Sequence, residues 1–252
     1  MKTAILTYAG EIDGALRGEY TSRRVLRTGV ISYSARRLAL ASLGLGMLYG
    51  LCMGSYAVFR GAEAPGLQVL ASTLKVPMLF LLTLGVTFPS LYVFSALAGS
   101  RLTARGTLRL LVIAITVNLA VLAGFGPVVA FFTSCTESYP FIKLLNVAMF
   151  GVAGVISLVF LRRSLTPVFE AEGSVREPEG EEEEGPIGSV RSDRRAKRIF
   201  LVWLFVYGVV GAQMGWVLRP FIGTPSRPFE WFRDRESNFF ENVIETFRAL
   251  LS

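Results

Sequence analysis

The chain has 252 residues, of which 52% are hydrophobic and 18% charged, with a formal net charge of +7, two cysteines and no histidine. Two cysteines cannot build a disulfide framework, and without histidine they cannot assemble a zinc or iron site from the usual ligands. The cationic surplus does not mark a nucleic-acid binder either, because Lys and Arg flank apolar runs instead of interleaving with aromatic residues in a patch.

Residues 1–37 carry Lys2, Arg17, Arg23, Arg24, Arg27, Arg36 and Arg37 ahead of the first apolar run, and no signal-peptide cleavage pattern precedes it. Five apolar runs follow at 38–59, 76–100, 110–132, 144–161 and 199–218, none interrupted by a charged side chain. At about 20 residues each, they are long enough to cross a bilayer as helices. Their apolar character goes all the way round instead of forming a stripe of period 3.6, so their outer surfaces face hydrocarbon. The expected fold is an all-α polytopic bundle of five transmembrane helices, four of them within 38–161 and the fifth at 199–219.

In the first run Ser42, Gly46, Gly50 and Gly54 recur at every fourth position, a smooth stripe against which a neighbouring backbone can pack. Gly211 and Gly215 repeat the spacing in the fifth run. These faces pack either within the chain or against a second copy. Pro77 and Pro89 in the second run and Pro127 in the third are expected to kink or break their helices. Lys75 and Lys143 open the second and fourth runs and are expected to snorkel toward water. Asn118, Asn146 and Gln213 are intramembrane polar groups that need partners on other helices. Cys52 and Cys135 fall at different depths, which argues for free thiols.

Between the fourth and fifth runs, residues 162–198 read as a flexible charged linker. Its acidic half contains Glu181, Glu182, Glu183 and Glu184, and its basic 191–198 half contains Arg191, Arg194, Arg195, Lys197 and Arg198. The basic half is a candidate contact for anionic lipids, or simply a topology signal. After the fifth run, Pro220, Gly223, Pro225 and Pro228 forbid a continuing helix, and Phe229, Trp231 and Phe232 suit the headgroup level. Asn238 and Glu241 then have capping-box spacing. Phe239, Phe240, Val243, Ile244, Phe247, Leu250 and Leu251 share a face of the helix they would start, so the 220–252 tail is expected to end in an interfacial amphipathic helix. Trp216, Arg219 and Glu230 form a candidate hub in which Arg219 pairs with Glu230 or another tail carboxylate and holds the tail against the bundle.

Charge sets the expected orientation. The amino-terminal segment, the second connection with Arg101, Arg105 and Arg109, and the 162–198 linker are basic, whereas the other connections and the tail are nearly neutral. By the positive-inside rule the amino terminus is cytoplasmic and the carboxyl terminus extracytoplasmic.

No Asp or Glu lies inside any run, which excludes a proton relay of buried carboxylates, and no P-loop or serine-hydrolase constellation is present. No catalytic residues, cofactor or metal are expected. The stretches LKVPMLFLLTLGVTFPSLYVFSALAGS (74–100), FGPVVAFF (125–132), FIKLLNVAMFGVAG (141–154) and GAQMGWVLRPFIGTPSRPFEWFR (211–233) resemble a Yip1-like family of bacterial multi-pass membrane proteins. The resemblance implies five spans, a cytoplasmic amino terminus and residence in the bacterial inner membrane. Eukaryotic Yip1 relatives are membrane-trafficking scaffolds that recruit small GTPases, but their DLYGP and GYG-type segments are absent here. The expected function is a membrane scaffold or accessory subunit without chemistry of its own, with partners among the bilayer, a second copy or a foreign membrane subunit. The alternative is an oligomeric channel or small transporter, for which the lysines would favour anions.

Overall fold

Gly61, at φ +61°, turns the chain sharply between its first two long apolar helices, a backbone conformation that costs glycine little and other residues more. The structure is a computed structural model, and it describes residues 2–17, 35–97, 104–174, 202, 205–223, 228–233 and 238–251. Seven helices and no strands occur among them. These are α1 (Lys2–Leu16), α2 (Ala35–Phe59), α3 (Pro65–Leu97), α4 (Ala104–Cys135), α5 (Tyr139–Ser174), α6 (Phe205–Val217) and α7 (Phe239–Leu251).

Four helices contain stretches long and apolar enough to cross a membrane: Arg36–Phe59, Pro65–Ser90, Leu111–Cys135 and Tyr139–Phe160. The expected fifth span is described as a helix only over the 13 residues of α6. That is about 20 Å at 1.5 Å per residue, against a hydrocarbon core of roughly 30 Å. Most of residues 199–204 lie outside the described residues.

α2 packs on both α3 and α4, and α5 packs on α4. α5 also reaches across to the other two: the Phe150 ring meets Tyr49 edge-on at 5.4 Å and stacks on Phe80 at 6.2 Å. The core between the four helices is built from Tyr49, Met53, Tyr56, Leu79, Leu119, Leu122, Val129 and Ile142, closed at one end by Leu218 and Ile222 beyond α6. Exposed apolar residues on the outside include Leu51, Leu81, Phe131 and Val155.

The small-residue stripe of α2 turns inward onto α3. A methyl group at Gly50 would stand 2.5 Å from the Ser72 carbonyl oxygen, and one at Gly54 would stand 2.9 Å from Val69 Cα. Gly46 faces Pro77 and Leu119, while the Ser42 hydroxyl shares a 2.7 Å hydrogen bond with Thr116. Gly211 and Gly215 meet Thr83 and Leu79 of α3 at ordinary contact distances of 3.7 and 3.9 Å. These pairings run α6 antiparallel to α3. The helices continue through Pro77, Pro89 and Pro127 without a break.

Several boundaries differ from the expected ones. α3 starts at Pro65 and α5 at Tyr139, both before the lysines read as span borders, because those ammonium groups find partners inside the protein. α5 also continues to Ser174, through the first part of the expected linker. Apolarity ends near Leu161, but helix propensity continues through Glu170, Ala171 and Glu172. The acidic run and the basic 191–198 stretch lie outside the described residues.

The amino-terminal segment contains a helix that hydropathy did not signal. α1 lies against α2 and α4, with Ala15 buried beside Leu38 and Ile113, and Arg37 at 3.4 Å from Glu11. This contact is at the end of the bundle opposite the tail.

Candidate functional site: a lysine-locked cap

The turns after α2 and α4, the end of α6 and the carboxyl-terminal tail meet at one end of the bundle. Arg60 and Glu137 join the two turns at 3.2 Å, and the Arg60 guanidinium also donates to the Thr136 carbonyl at 2.6 Å. Tyr56 donates to the Glu137 carbonyl at 3.0 Å.

The first turns of α3 place Gln68, Ser72 and Lys75 at i, i+4 and i+7, on one helix face. All three are buried. They face the chain just beyond α6, where helix-end carbonyls lack intrahelical partners. Gln68 Nε2 donates to the Phe221 carbonyl at 3.1 Å, and the Ser72 hydroxyl donates to the same oxygen. Lys75 Nζ donates to the Pro220 carbonyl at 2.9 Å and to the Trp231 carbonyl, and it stands 5.2 Å from the centroid of the Phe232 ring. A single ammonium group thereby ties together two tail segments and one aromatic face. Gly223 fits closely over Gln68 and Ala57, where an added methyl would come within 2.8 and 3.1 Å.

Lys75 is 2% exposed, so it does not snorkel. Its charge is satisfied by carbonyl dipoles and a ring quadrupole within the cap, which removes the reason to reach for water. Lys143 is half-buried and donates to Asn242 Oδ1 on α7, fastening that helix to α5. Around it, Arg219, Arg233 and Glu245 are close enough to interact electrostatically. Arg233 stands in the same relation to Lys75.

The pairing expected between Arg219 and Glu230 is not the one that Glu230 forms. The Arg219 guanidinium lies 3.6 Å from the Trp216 ring centroid, and the Arg219 carbonyl accepts from the Arg233 backbone N–H at 3.3 Å. Glu230 instead meets Arg233 at 3.4 Å, three residues along its own segment. Lys75 ties the tail to the bundle, and Arg219 also covers the buried Trp216 indole. A shallow cleft at this end includes Glu63, Gln68, Gly223, Phe229 and Arg233 in its lining.

α7 starts with the reciprocal capping box expected of its sequence: Glu241 N–H donates to Asn238 Oδ1 at 3.0 Å, and Asn238 N–H donates to Glu241 Oε2 at 3.2 Å. Its face divides in two. Asn242 and Thr246 turn toward α5, whereas Phe240, Ile244, Phe247 and Leu251 form an exposed apolar stripe at i, i+4, i+7 and i+11.

Deeper in the bundle the polar groups are glue. Tyr49 donates to Asn146 Oδ1 at 2.9 Å, Asn146 Nδ2 donates to the Ile142 carbonyl at 2.9 Å, and Ser157 donates to the Ala114 carbonyl at 2.8 Å. Asn118 is buried on α4 with its Oδ1 unbonded, and Gln213 is half-buried on α6 outside the cap network. Gln68 and Ser72 were missed from the sequence as site residues. Their signal was the period of polar positions leading into Lys75, just ahead of the second apolar run. No known protein family, curated protein or solved structure matches this chain.

Proposed function

We propose that this chain is a membrane scaffold or accessory subunit: a solid helical bundle that offers surfaces to lipid and to other membrane proteins and carries no substrate through itself. The observation behind this reading is the use made of its intramembrane polar groups. Asn146, Tyr49, Ser42 and Thr116 bond one another across the interior, and the Gly46, Gly50 and Gly54 stripe brings α2 against the α3 backbone with no space between them. Lys75, which would line a cationic pore, is consumed by the tail that closes the bundle end.

In the proposed arrangement α6 belongs to a fifth span that begins within residues 199–204. The amino terminus and α1 are cytoplasmic, and the cap and α7 lie at the extracytoplasmic face of a bacterial inner membrane. The antiparallel course of α6 along α3 and the basic residues Arg36, Arg37, Arg105 and Arg109 at the opposite end support this topology.

Native mass spectrometry of the protein released from membranes in mild detergent, without crosslinking, tests the function. A stoichiometric foreign membrane subunit is the expected result. A closed homo-oligomer that conducts ions after reconstitution would overturn the scaffold reading.

A further inference from the structure

We propose that α7 is a lipid-binding element: it lies along the bilayer surface at the capped end of the bundle, with Phe240, Ile244, Phe247 and Leu251 seated among the acyl chains of that leaflet. Successive helix residues are set about 100° apart, so these four side chains fall within about 60° of arc, and all four are exposed. Glu241, Glu245 and Arg248, exposed as well, occupy the next arc of the helix. Asn242 and Thr246 lie on a third, turned toward α5. One side of α7 thus meets protein, one carries charge, and one is apolar and exposed.

The contact with α5 fixes the depth of that apolar side. The α5 stretch Tyr139–Phe160 has 22 residues and rises about 33 Å, close to the roughly 30 Å of hydrocarbon, so its ends mark the bilayer boundaries. Lys143 is four residues inside the capped end, about 6 Å by the helix rise. Its ammonium group donates to Asn242, which lies between Phe240 and Ile244 in the chain. That bond holds the stripe at the level where interfacial helices bury their apolar faces, about 5–10 Å deep. The 13 residues of α7 span only about 20 Å, too short to cross the bilayer, so the helix lies along it.

Lipid fits the stripe better than a second protein surface does. A strip about 20 Å long and about 10 Å wide offers about 200 Å², whereas a stable protein–protein interface takes about 800 Å² from each partner. Charged side chains border the stripe directly, as they do on a helix at the boundary between hydrocarbon and water. The tail is then fastened twice, to the bundle through Lys75 and Lys143 and to the leaflet through α7. The proposal depends on the spans lying in a bilayer, and on neither the scaffold reading nor the side of the membrane that the cap faces.

The test uses the full chain with Cys52→Ser and Cys135→Ser, reconstituted in phosphatidylcholine nanodiscs and carrying one nitroxide at a time through Ile244→Cys, Phe247→Cys, Glu245→Cys or Arg248→Cys. All four positions are exposed, so the label displaces no packed side chain. Collisions with oxygen, which partitions into hydrocarbon, and with a neutral nickel chelate, which stays in water, are read by EPR power saturation. Oxygen is expected to dominate at the Ile244 and Phe247 positions, and nickel at those of Glu245 and Arg248. Nickel dominance at all four would place the stripe in water and overturn the proposal. Oxygen dominance at all four would overturn it too, because α7 would then be sunk in the bilayer instead of lying at its surface. Shielding of the Ile244 and Phe247 positions from both reagents would overturn it in favour of a second copy of the chain.

Discussion

Lys75 shows how one residue decides the shape of a chain end. Its ammonium group is buried beside two backbone carbonyls from segments more than ten residues apart and under the face of Phe232. Replacing it with methionine keeps much of the volume but leaves both carbonyls without their donor. Hydrogen bonds to a charged group are worth about 1.5–3 kcal/mol each, so Lys75→Met is expected to destabilise the cap by about 3 kcal/mol or more. Limited proteolysis of the protein in detergent should then cut the tail while the spans stay intact. An unchanged digestion pattern would show that the tail is held by other contacts. From sequence alone Lys75 reads as a snorkelling border residue, since an intramembrane charge with no carboxylate in any span has no visible partner. Its acceptors are backbone carbonyls, which every sequence has and none advertises.

At the scale of the helix pair, α2 and α3 approach through glycine, whereas α3 and α6 approach through side chains. The same substitution should therefore have opposite outcomes on the two faces. Gly50→Ala drives a methyl group to 2.5 Å from the Ser72 carbonyl oxygen, and neither backbone yields without moving its helix. A loss of about 1–3 kcal/mol is expected, as for other overpacked interiors. Gly211→Ala brings its methyl to 3.7 Å from Thr83 Cγ2, an ordinary contact, and should change stability by no more than about 0.5 kcal/mol. Thermal or denaturant unfolding in detergent separates the two. The fourfold spacing was legible in both helices as sequence; which stripe is filled by backbone depends on how α3 lies against each. α7 was the most legible element, because its capping box and apolar face are local patterns, and both bonds of the box are formed.

At the scale of the molecule, the arrangement places the turns after α2 and α4, the end of α6 and α7 at one end, and α1 with the first turns of α2 and α4 at the other. The two cysteines report on which end faces out. Cys135 is exposed at the end of α4, and Cys52 lies part-buried within α2 beside Gly126, both as free thiols. In intact spheroplasts a membrane-impermeant maleimide is expected to label the protein once, at Cys135. Cys135→Ser should abolish the labelling and Cys52→Ser should not. Labelling that requires lysis would invert the proposed topology.

Sequence by itself determined that the elements among the described residues are helical and that four of the five expected spans are long apolar helices, because hydropathy and run length are properties of a segment in isolation. It also determined the start of α7 and the small-residue stripes, which depend on spacing along one helix. Tertiary structure alone decided that Gln68, Ser72 and Lys75 close the bundle end, and that α1 docks against α2 and α4. The physical reason is common to both. Their partners are backbone groups, or side chains brought together by distant parts of the chain, and their energies arise only once water and lipid have been excluded between those parts.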